Sequence, residues 1–417
     1  MTSITLDALE TRAPDERERD LLARLPGLIA RAQQAPGWAR ILHGIDPATI
    51  TSRAALAALP VTRKADLKTL QEAASPFGGL AATPTTELAH VFMSPGPIFD
   101  PEGRGADWWR FARPMYAAGV RAGGLLQNCF SYHFTPAAFM VESGAARIGC
   151  SVIPAGTGQT EMQVQAMAAL RPDTYVGTPS FLRIIIEKAR ESGADIGSLR
   201  HALLGAEALP ESLRSWFREN GVPHVFQTYA SADIGSIAYE TATAGVLDPG
   251  MVLDEEVLLE IVRPGTGDLV APGDIGEVVV TLFNNDYPLI RFATGDLSAL
   301  LLGAVPGVRT NSRIKGWLGR ADQTTKVRAM FVHASQVQNI VRRHPDILKA
   351  RLLVSGQMAN DLMTLQCEVA GAPDAALGAA ITATIRDVTK LRGEVAFVAP
   401  GTLPDDGKLI EDARDYS

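Results

Sequence analysis

Apolar side chains in the first 70 residues recur at the spacing of a helix. Leu21, Leu25, Leu28 and Ile29 fall on one helical face, with charged residues between them. Thr62 precedes a charged segment and is expected to cap a following helix. The opening of the chain is therefore predicted to be helical and peripheral.

Between residues 88 and 204, short apolar runs alternate with amphipathic stretches. Strands are predicted at 125–130, 150–153, 174–177 and 201–204, and helices at 139–148, 161–170, 181–190 and 210–219. Strands that alternate with helices so regularly are typical of an α/β fold with parallel strands.

The pattern changes after residue 250. Apolar runs at 257–262 and 277–282 flank a stretch rich in proline and glycine, which predicts antiparallel strands joined by tight turns. A boundary is expected near 319–322. We predict a large α/β domain over residues 1–321 and a small α+β domain over residues 322–417.

Composition and charge narrow the class of protein. Forty-six per cent of the residues are hydrophobic and 20% are charged, as in globular domains. The net charge of −7 argues against sequence-independent nucleic-acid binding, which needs a basic face. No apolar run reaches the ~18–20 residues of a membrane span. With three scattered cysteines and an acidic start, a reduced, cytoplasmic protein is expected.

Five short segments along the chain contain polar, charged or aromatic residues with candidate roles in binding or catalysis. They are Gly205-Ala-Glu207, Tyr229-Ala-Ser-Ala-Asp233, Arg291-Phe-Ala-Thr-Gly-Asp296, Gly319-Arg320-Ala-Asp322 and Gly407-Lys408. This ordered set resembles the phenylacetate–coenzyme A ligase branch of the adenylate-forming superfamily, from about residue 87 to residue 408. The resemblance implies that family's fold, in which a mobile C-terminal lid follows a large α/β domain.

The resemblance also implies roles for residues of the large domain. The turn formed by Gly205, Ala206 and Glu207 would border the adenine of ATP or AMP, and Tyr229 would lie against the same ring. Asp296 would accept hydrogen bonds from the ribose hydroxyls, a task that suits a carboxylate. Asp233 stands where the family has a glutamate that holds Mg²⁺, and aspartate keeps the hard oxygen ligand with a shorter reach.

Three further roles fall near the domain boundary and in the small domain. Arg320 would approach the ribose and the phosphates, and Asp322 would be the hinge of the lid. Lys408 would contact the carboxylate and the α-phosphate during adenylation. Arg320 and Lys408 are the predicted catalytic residues, and coenzyme A is the expected second substrate.

The segment expected to hold the outer phosphates departs from the family pattern. The family has a Ser/Thr/Gly-rich loop that ends in lysine, whereas residues 92–104 carry three prolines, two acids and Arg104 as the sole cation. Ser94, Gly96 and Arg104 are the phosphate-loop candidates. Three explanations stay open: ATP binds with Arg104 in place of the lysine, adenylation is lost, or a preformed acyl-adenylate or thioester is used.

The acyl pocket is predicted from position alone. Tyr132, His133 and Phe134 occupy the family's acyl-side aromatic segment, and residues 234–240, which include Gly235, should form another wall. The preferred function is an ATP-dependent ligase that joins a small carboxylic acid, aryl or other, to coenzyme A. The alternatives are a catalytically impaired homologue that binds nucleotide or acyl ligand, and transfer to a carrier-protein thiol. The sequence leaves a homodimer open.

Overall fold

The chain has two compact units, Met1–Gly319 and Arg320–Ser417. The computed structural model describes residues 4–94, 96–303, 307–321, 323, 325–328, 330–356, 361–369, 371, 373–404 and 408–414. Both units combine helices with sheets, so the predicted α/β class is confirmed. No described helix is both long and apolar enough to cross a membrane.

Eleven α-helices lie within the described ranges. They are α1 (Pro14–Ala32), α2 (Pro36–Ile41), α3 (Arg53–Ala57), α4 (Leu67–Ala73), α5 (Ala112–Ala117), α6 (Ala137–Ile148), α7 (Thr160–Leu170), α8 (Pro179–Ser192), α9 (Glu211–Glu219), α10 (Ala334–Arg343) and α11 (Ala375–Thr389). Local chemistry sets their ends. The Thr178 hydroxyl accepts a hydrogen bond from the Phe181 amide at the start of α8, and Gly193, with a φ of +67°, ends it.

The large unit contains the first seventeen strands. They are β1 (Thr62–Arg63), β2 (His90–Ser94), β3 (Ile98–Glu102), β4 (Leu125–Asn128), β5 (Ser151–Pro154), β6 (Thr174–Gly177), β7 (His201–Leu204), β8 (His224–Ser231), β9 (Gly235–Tyr239), β10 (Ala242–Thr243), β11 (Val246–Leu247), β12 (Met251–Leu253), β13 (Val257–Val262), β14 (Gly276–Leu282), β15 (Leu289–Ser298), β16 (Leu300–Leu301) and β17 (Arg313–Ile314).

A nine-stranded sheet forms the centre of this unit, in the order β16-β17-β12-β9-β8-β7-β6-β4-β5. The strands from β8 to β5 run parallel, because helices return the chain to the same edge between them. The strands on the other side of β8 pair antiparallel. The predicted alternation of strands and helices is confirmed in this half of the sheet.

A second sheet, of order β1-β15-β14-β13, carries the antiparallel pair predicted from residues 257–262 and 277–282. Its edge corrects one expectation. Thr62 does not cap a helix but lies in β1, where it pairs in parallel with Phe292 of β15. Local sequence could not reveal this pairing, because the two residues are far apart in the chain.

The small unit has its own sheet and core. Its strands are β18 (Thr325–Val327), β19 (Met330–Val332), β20 (Ile347–Ser355), β21 (Leu362–Val369), β22 (Glu394–Val398) and β23 (Ile410–Asp412). The last four form a sheet of order β22-β21-β20-β23. Side chains of this sheet, such as Leu352 and Leu365, are buried in one core with Ile340 of α10 and Ile381 of α11.

Candidate active site

The carboxyl ends of the central parallel strands meet at one edge of the nine-stranded sheet. β4, β6, β7 and β8 all end there, and the segments that follow them carry most of the candidate residues of the large unit. Ligands of open α/β sheets bind beyond this edge, because the chain turns away from the sheet there and exposes backbone polar groups.

The turn after β7 is tied to both neighbouring strands. The Gly205 amide donates to the Gly177 carbonyl at 3.1 Å, and a Cβ at Gly205 would lie 3.2 Å from the Thr228 methyl group. The Glu207 carboxylate accepts from the Ser180 amide, and its backbone carbonyl accepts from the Gln227 side chain, each at 3.2 Å. The turn is thereby fixed at the sheet edge.

Ala206 is the exposed residue of that turn. Its φ of +64° lies in the left-handed region, which costs a residue with a Cβ more than it costs glycine. Ala206 therefore holds an exposed and strained position in the turn that follows β7.

Asp296 lies next to Tyr229 at the same edge. The Tyr229 hydroxyl donates to one carboxylate oxygen of Asp296 at 2.8 Å, and the Trp317 indole N–H donates to the other at 3.0 Å. The Asp296 amide donates to the Thr294 hydroxyl at 3.1 Å. Two of the predicted nucleotide-binding residues are therefore in direct contact, and Trp317, which the sequence did not single out, orients the carboxylate.

Asp233 forms an ion pair that sequence reasoning missed. Its Oδ2 accepts a hydrogen bond from the Lys64 ammonium group, directly after β1. The side chain of Asp233 is 1% exposed and that of Lys64 is 28% exposed, so a partly exposed lysine side chain neutralises a buried acid. The parallel pairing of β1 with β15 accounts for the position of Lys64, since Arg63 pairs with Ala293, three residues before Asp296.

The segment expected to hold phosphate forms a β-hairpin of β2 and β3. Ser94 pairs with Ile98 next to the turn, and its hydroxyl donates to the buried carboxylate of Asp100. Gly96 lies in the exposed turn. The Ser94 hydroxyl is thus bound to Asp100, an acid within the same hairpin.

Arg104 lies near the other end of the same hairpin. It follows Glu102, which pairs with His90 at the end opposite to Ser94. At ~3.4 Å per strand residue, four residue pairs separate the two ends by roughly 14 Å. The exposed Arg104 guanidinium donates to the Glu87 carbonyl. The structure does not bring Ser94 and Arg104 together as one phosphate-binding group.

The acids around Lys64 shape the electrostatics of the site. Burial alone would lower the pKa of Lys64, but the charges of Asp233, Asp100 and Asp296 more than offset this and raise it. Burial, reinforced by the charge of Asp233, raises the pKa of Asp100 to about 7, although Ser94 and Lys64 act against the shift. Lys64 is thus a cation at neutral pH, whereas Asp100 passes from its neutral to its charged form as the pH rises through about 7.

One oxygen of Asp233 is available to a metal ion. Asp233 Oδ1 is buried and has no hydrogen-bond partner among the described residues. These residues contain no cluster of three or more His, Cys, Asp or Glu side chains that could hold a metal on its own. The donor set fits Mg²⁺ bound by one protein carboxylate, with phosphate oxygens and water as the other ligands.

The acyl-pocket candidates are divided between buried and exposed positions. The Tyr132 hydroxyl donates to Glu142 at 2.6 Å and accepts from Asn128 at 2.9 Å, and its ring contacts Phe139. His133 and Phe134 have exposed side chains that contact each other.

Gly235 opens β9 with a φ of +80°, and a Cβ there would lie 2.7 Å from the Trp109 carbonyl. Glycine is therefore required by the close approach of two backbones. Packing of the half-buried Tyr132 ring and the backbone geometry of Gly235 explain these two residues in the described structure, and the other two candidates are exposed.

The remaining candidates belong to the small unit. Arg320 is its half-buried first residue, and Lys408 is exposed just before β23. The Leu409 amide, next to Lys408, donates to the Gln323 side chain at 2.6 Å, which anchors the backbone beside the lysine. Asp322, the predicted hinge, lies outside the described residues.

Comparisons with known proteins identify a family model, curated relatives and solved structures that this chain resembles. Residues 121–282 match the family model described as AMP-binding enzyme. A phenylacetate–coenzyme A ligase of Thermus thermophilus is 31% identical, over 82% of this chain and 78% of its own length. A phenylacetate–coenzyme A ligase of Aromatoleum evansii is 27% identical, over 87% of this chain and 84% of its own.

A solved structure of 2-hydroxyisobutyryl-CoA ligase, in complex with an acyl-AMP and CoA, has the same fold. Its TM-score is 0.81 at 24% identity, with 98% of this chain and 92% of that chain covered. The family model and the Thermus relative together show the class, an adenylate-forming enzyme. The identity and coverage of the Thermus relative narrow the class further: the chain belongs to the phenylacetate–coenzyme A ligase family.

Proposed function

We propose that this protein joins a small carboxylic acid to the thiol of coenzyme A through an acyl-adenylate, at the expense of ATP. In the first step, a carboxylate oxygen attacks the α-phosphorus and pyrophosphate leaves. In the second step, the thiol sulfur attacks the acyl carbon, AMP leaves, and the thiol proton passes to solvent. The family's relatives are named for phenylacetate, and the proposed substrate class is an aryl or other organic acid.

The observation that carries this proposal is the orientation of Asp296. Hydrogen bonds from Tyr229 and Trp317 hold its carboxylate at the carboxyl edge of the parallel strands. A carboxylate held in this way offers acceptor lone pairs to two neighbouring hydroxyl groups, which a ribose supplies. In this proposal the Tyr229 ring and the Gly205–Glu207 turn border the adenine.

Metal and lysine roles complete the proposal. Asp233 Oδ1 would bind Mg²⁺, which neutralises phosphate charge when ATP is bound. Lys408 would stabilise the charge that builds up on the α-phosphate and the attacking carboxylate, and Arg320 would contact the phosphates. The small domain would turn about Asp322 between the two steps and so present a different face to the reacting groups.

Half-reactions test these roles. With ATP, Mg²⁺, coenzyme A and a panel of aryl and aliphatic acids, we expect AMP and pyrophosphate to form with at least one acid. Lys408→Ala should lower the rate of adenylation by about 100-fold or more, since it removes an electrostatic contact to the transition state. The same variant should convert synthetic acyl-adenylate and coenzyme A to thioester at nearly the wild-type rate. Equal loss of both half-reactions would refute the role of Lys408.

A second candidate, a nucleotide-binding homologue without turnover, is favoured by the β2–β3 hairpin, whose Ser94 hydroxyl is engaged by Asp100. Nucleotide binding without pyrophosphate release across the whole acid panel would support it. Transfer to a carrier protein instead predicts pyrophosphate exchange but no thioester with coenzyme A.

A cytoplasmic location and a homodimer stay predictions of the sequence. Cell fractionation tests the first, and light scattering of the purified protein tests the second.

A further inference from the structure

We propose that Lys64 is the cation that binds the pyrophosphate portion of ATP in this enzyme, in place of the lysine that the β2–β3 hairpin lacks. The inference rests on the proposed function and deepens it. Lys64 lies outside every segment of the family resemblance, and its place in the site follows from the pairing of two strands.

The backbone brings Lys64 to the nucleotide side of the fold. β1 is parallel to β15 with Arg63 opposite Ala293, so the chain leaves β1 alongside the segment that leads to Asp296. Asp296 is close enough for its charge to raise the pKa of Lys64. A lysine at this position therefore lies between the candidate ribose acceptor and the candidate metal ligand Asp233.

The hairpin leaves the phosphate position without a cation of its own. Pro97 and Pro101 have no N–H to donate, and the Ser94 hydroxyl is bound to Asp100. Arg104 lies near the far end of the hairpin, bound to the Glu87 carbonyl. The phosphate oxygens of ATP need donors, and Lys64 is a described cation in contact with Asp233.

The ion pair with Asp233 engages only part of the hydrogen-bonding capacity of the Lys64 ammonium group. An ammonium group has three N–H donors, and the structure assigns one of them to Asp233. The Lys64 side chain is 28% exposed while that of Asp233 is 1% exposed, so part of the lysine side chain reaches the surface beside the buried acid.

The geometry also divides Asp233 between two cations. Oδ2 accepts from Lys64, and the buried Oδ1 has no partner among the described residues. Oδ1 would hold a Mg²⁺ ion and Oδ2 holds the ammonium group, so one carboxylate would carry two positive charges suited to phosphate. Two adjacent cations supply the charge that phosphate loops usually supply with backbone N–H groups and one lysine.

Equilibrium binding of ATP and AMP to the full chain tests this role directly, because the two nucleotides differ only in the pyrophosphate. In Lys64→Gln we expect ATP affinity with Mg²⁺ to fall about tenfold or more, as for loss of a charged hydrogen bond, and AMP affinity to stay within about twofold. Lys64→Arg, which keeps the charge, should retain most of the ATP affinity. Lys68→Gln, an exposed lysine of α4, is the matched control and should match wild type.

The half-reactions supply the second measurement. Lys64→Gln should slow adenylation but not thioester formation from acyl-adenylate, which contains no pyrophosphate. Unchanged ATP affinity, or equal losses for ATP and AMP, would show that Lys64 only neutralises Asp233 and would overturn the inference. If Lys64→Gln fails to fold because Asp233 is left buried without its partner, the double variant Lys64→Gln/Asp233→Asn is compared with Asp233→Asn alone by the same ATP-to-AMP ratio. Absence of turnover in wild type would refute the proposed function but leave this ratio measurable.

Discussion

Three aspartates at this site are suited to different roles because their surroundings differ. Asp296 receives two hydrogen bonds from neutral donors and is half-buried. Asp233 is buried against an ammonium group, and Asp100 is buried against a hydroxyl. The first is suited to accept sugar hydroxyls, the second to bind cations, and the third to take up a proton near neutrality.

The ribose role of Asp296 is testable with sugar analogues. Wild type should bind AMP at least tenfold more tightly than its 2′,3′-dideoxy analogue, because the analogue leaves the carboxylate without its hydroxyl partners. Asp296→Asn should weaken AMP binding and remove most of this discrimination, as measured by calorimetry. Asp268→Asn, at an exposed loop position, is the control. Full discrimination in Asp296→Asn would show that the sugar binds elsewhere.

The raised pKa of Asp100 predicts a pH-dependent stability. Its pKa is about 7 in the folded chain against 3.8 for the free side chain, so the folded state holds a proton that the unfolded state loses between these values. Stability from this group is present below about pH 4 and is lost as the pH rises to 7. Asp100→Asn should therefore be more stable than wild type at pH 8, by roughly 2–4 kcal/mol, and equal to it at pH 4.

Chemical denaturation at several pH values measures this difference, and Asp274→Asn, in an exposed turn, should give a difference that does not depend on pH. A constant offset between Asp100→Asn and wild type from pH 4 to pH 8 would contradict the assignment.

Among the elements, β15 is the one that assembles the site. It carries Asp296, it pairs with β1 to bring in Lys64, and it pairs with β14 in the second sheet. Arg291 locks its first half, because the buried guanidinium binds Glu260 and donates to the carbonyls of Ala57 and Leu59 just before β1. The candidate ribose acceptor Asp296 and the anchor Arg291 thus lie on opposite halves of one strand.

Loss of the Arg291 anchor should lower the free energy of unfolding. Arg291→Ala leaves Glu260 buried without its charged partner, and we expect a loss of about 3–5 kcal/mol in unfolding free energy. Arg263→Ala, at an exposed position, should change stability by less than about 0.5 kcal/mol. Thermal and denaturant melts of both variants give the comparison. A near-neutral Arg291→Ala would mean that β15 keeps its place without the ion pair.

At the scale of the whole molecule, sequence patterns predicted the strands and helices of the sheets better than the residues of the candidate active site. Continuous apolar runs such as Tyr175-Val176 marked the parallel strands because both faces of that sheet are buried. Motif spacing placed Tyr229 and Asp296, which the structure joins. Lys64 and Trp317 escaped notice because their roles depend on contacts between distant segments. The two-residue β1 in particular carries too short a pattern to be recognised.

The brief strand β1 has a consequence for how the protein can be shortened or recombined. Residues 1–66 are part of the core of the large unit, since Leu21, Leu25 and Ile29 of α1 are buried in it. The same segment supplies the Ala57 and Leu59 carbonyls that accept hydrogen bonds from Arg291. A fragment that starts after residue 66 would therefore lose both the amine proposed to distinguish a triphosphate from a monophosphate and the support on which β15 rests.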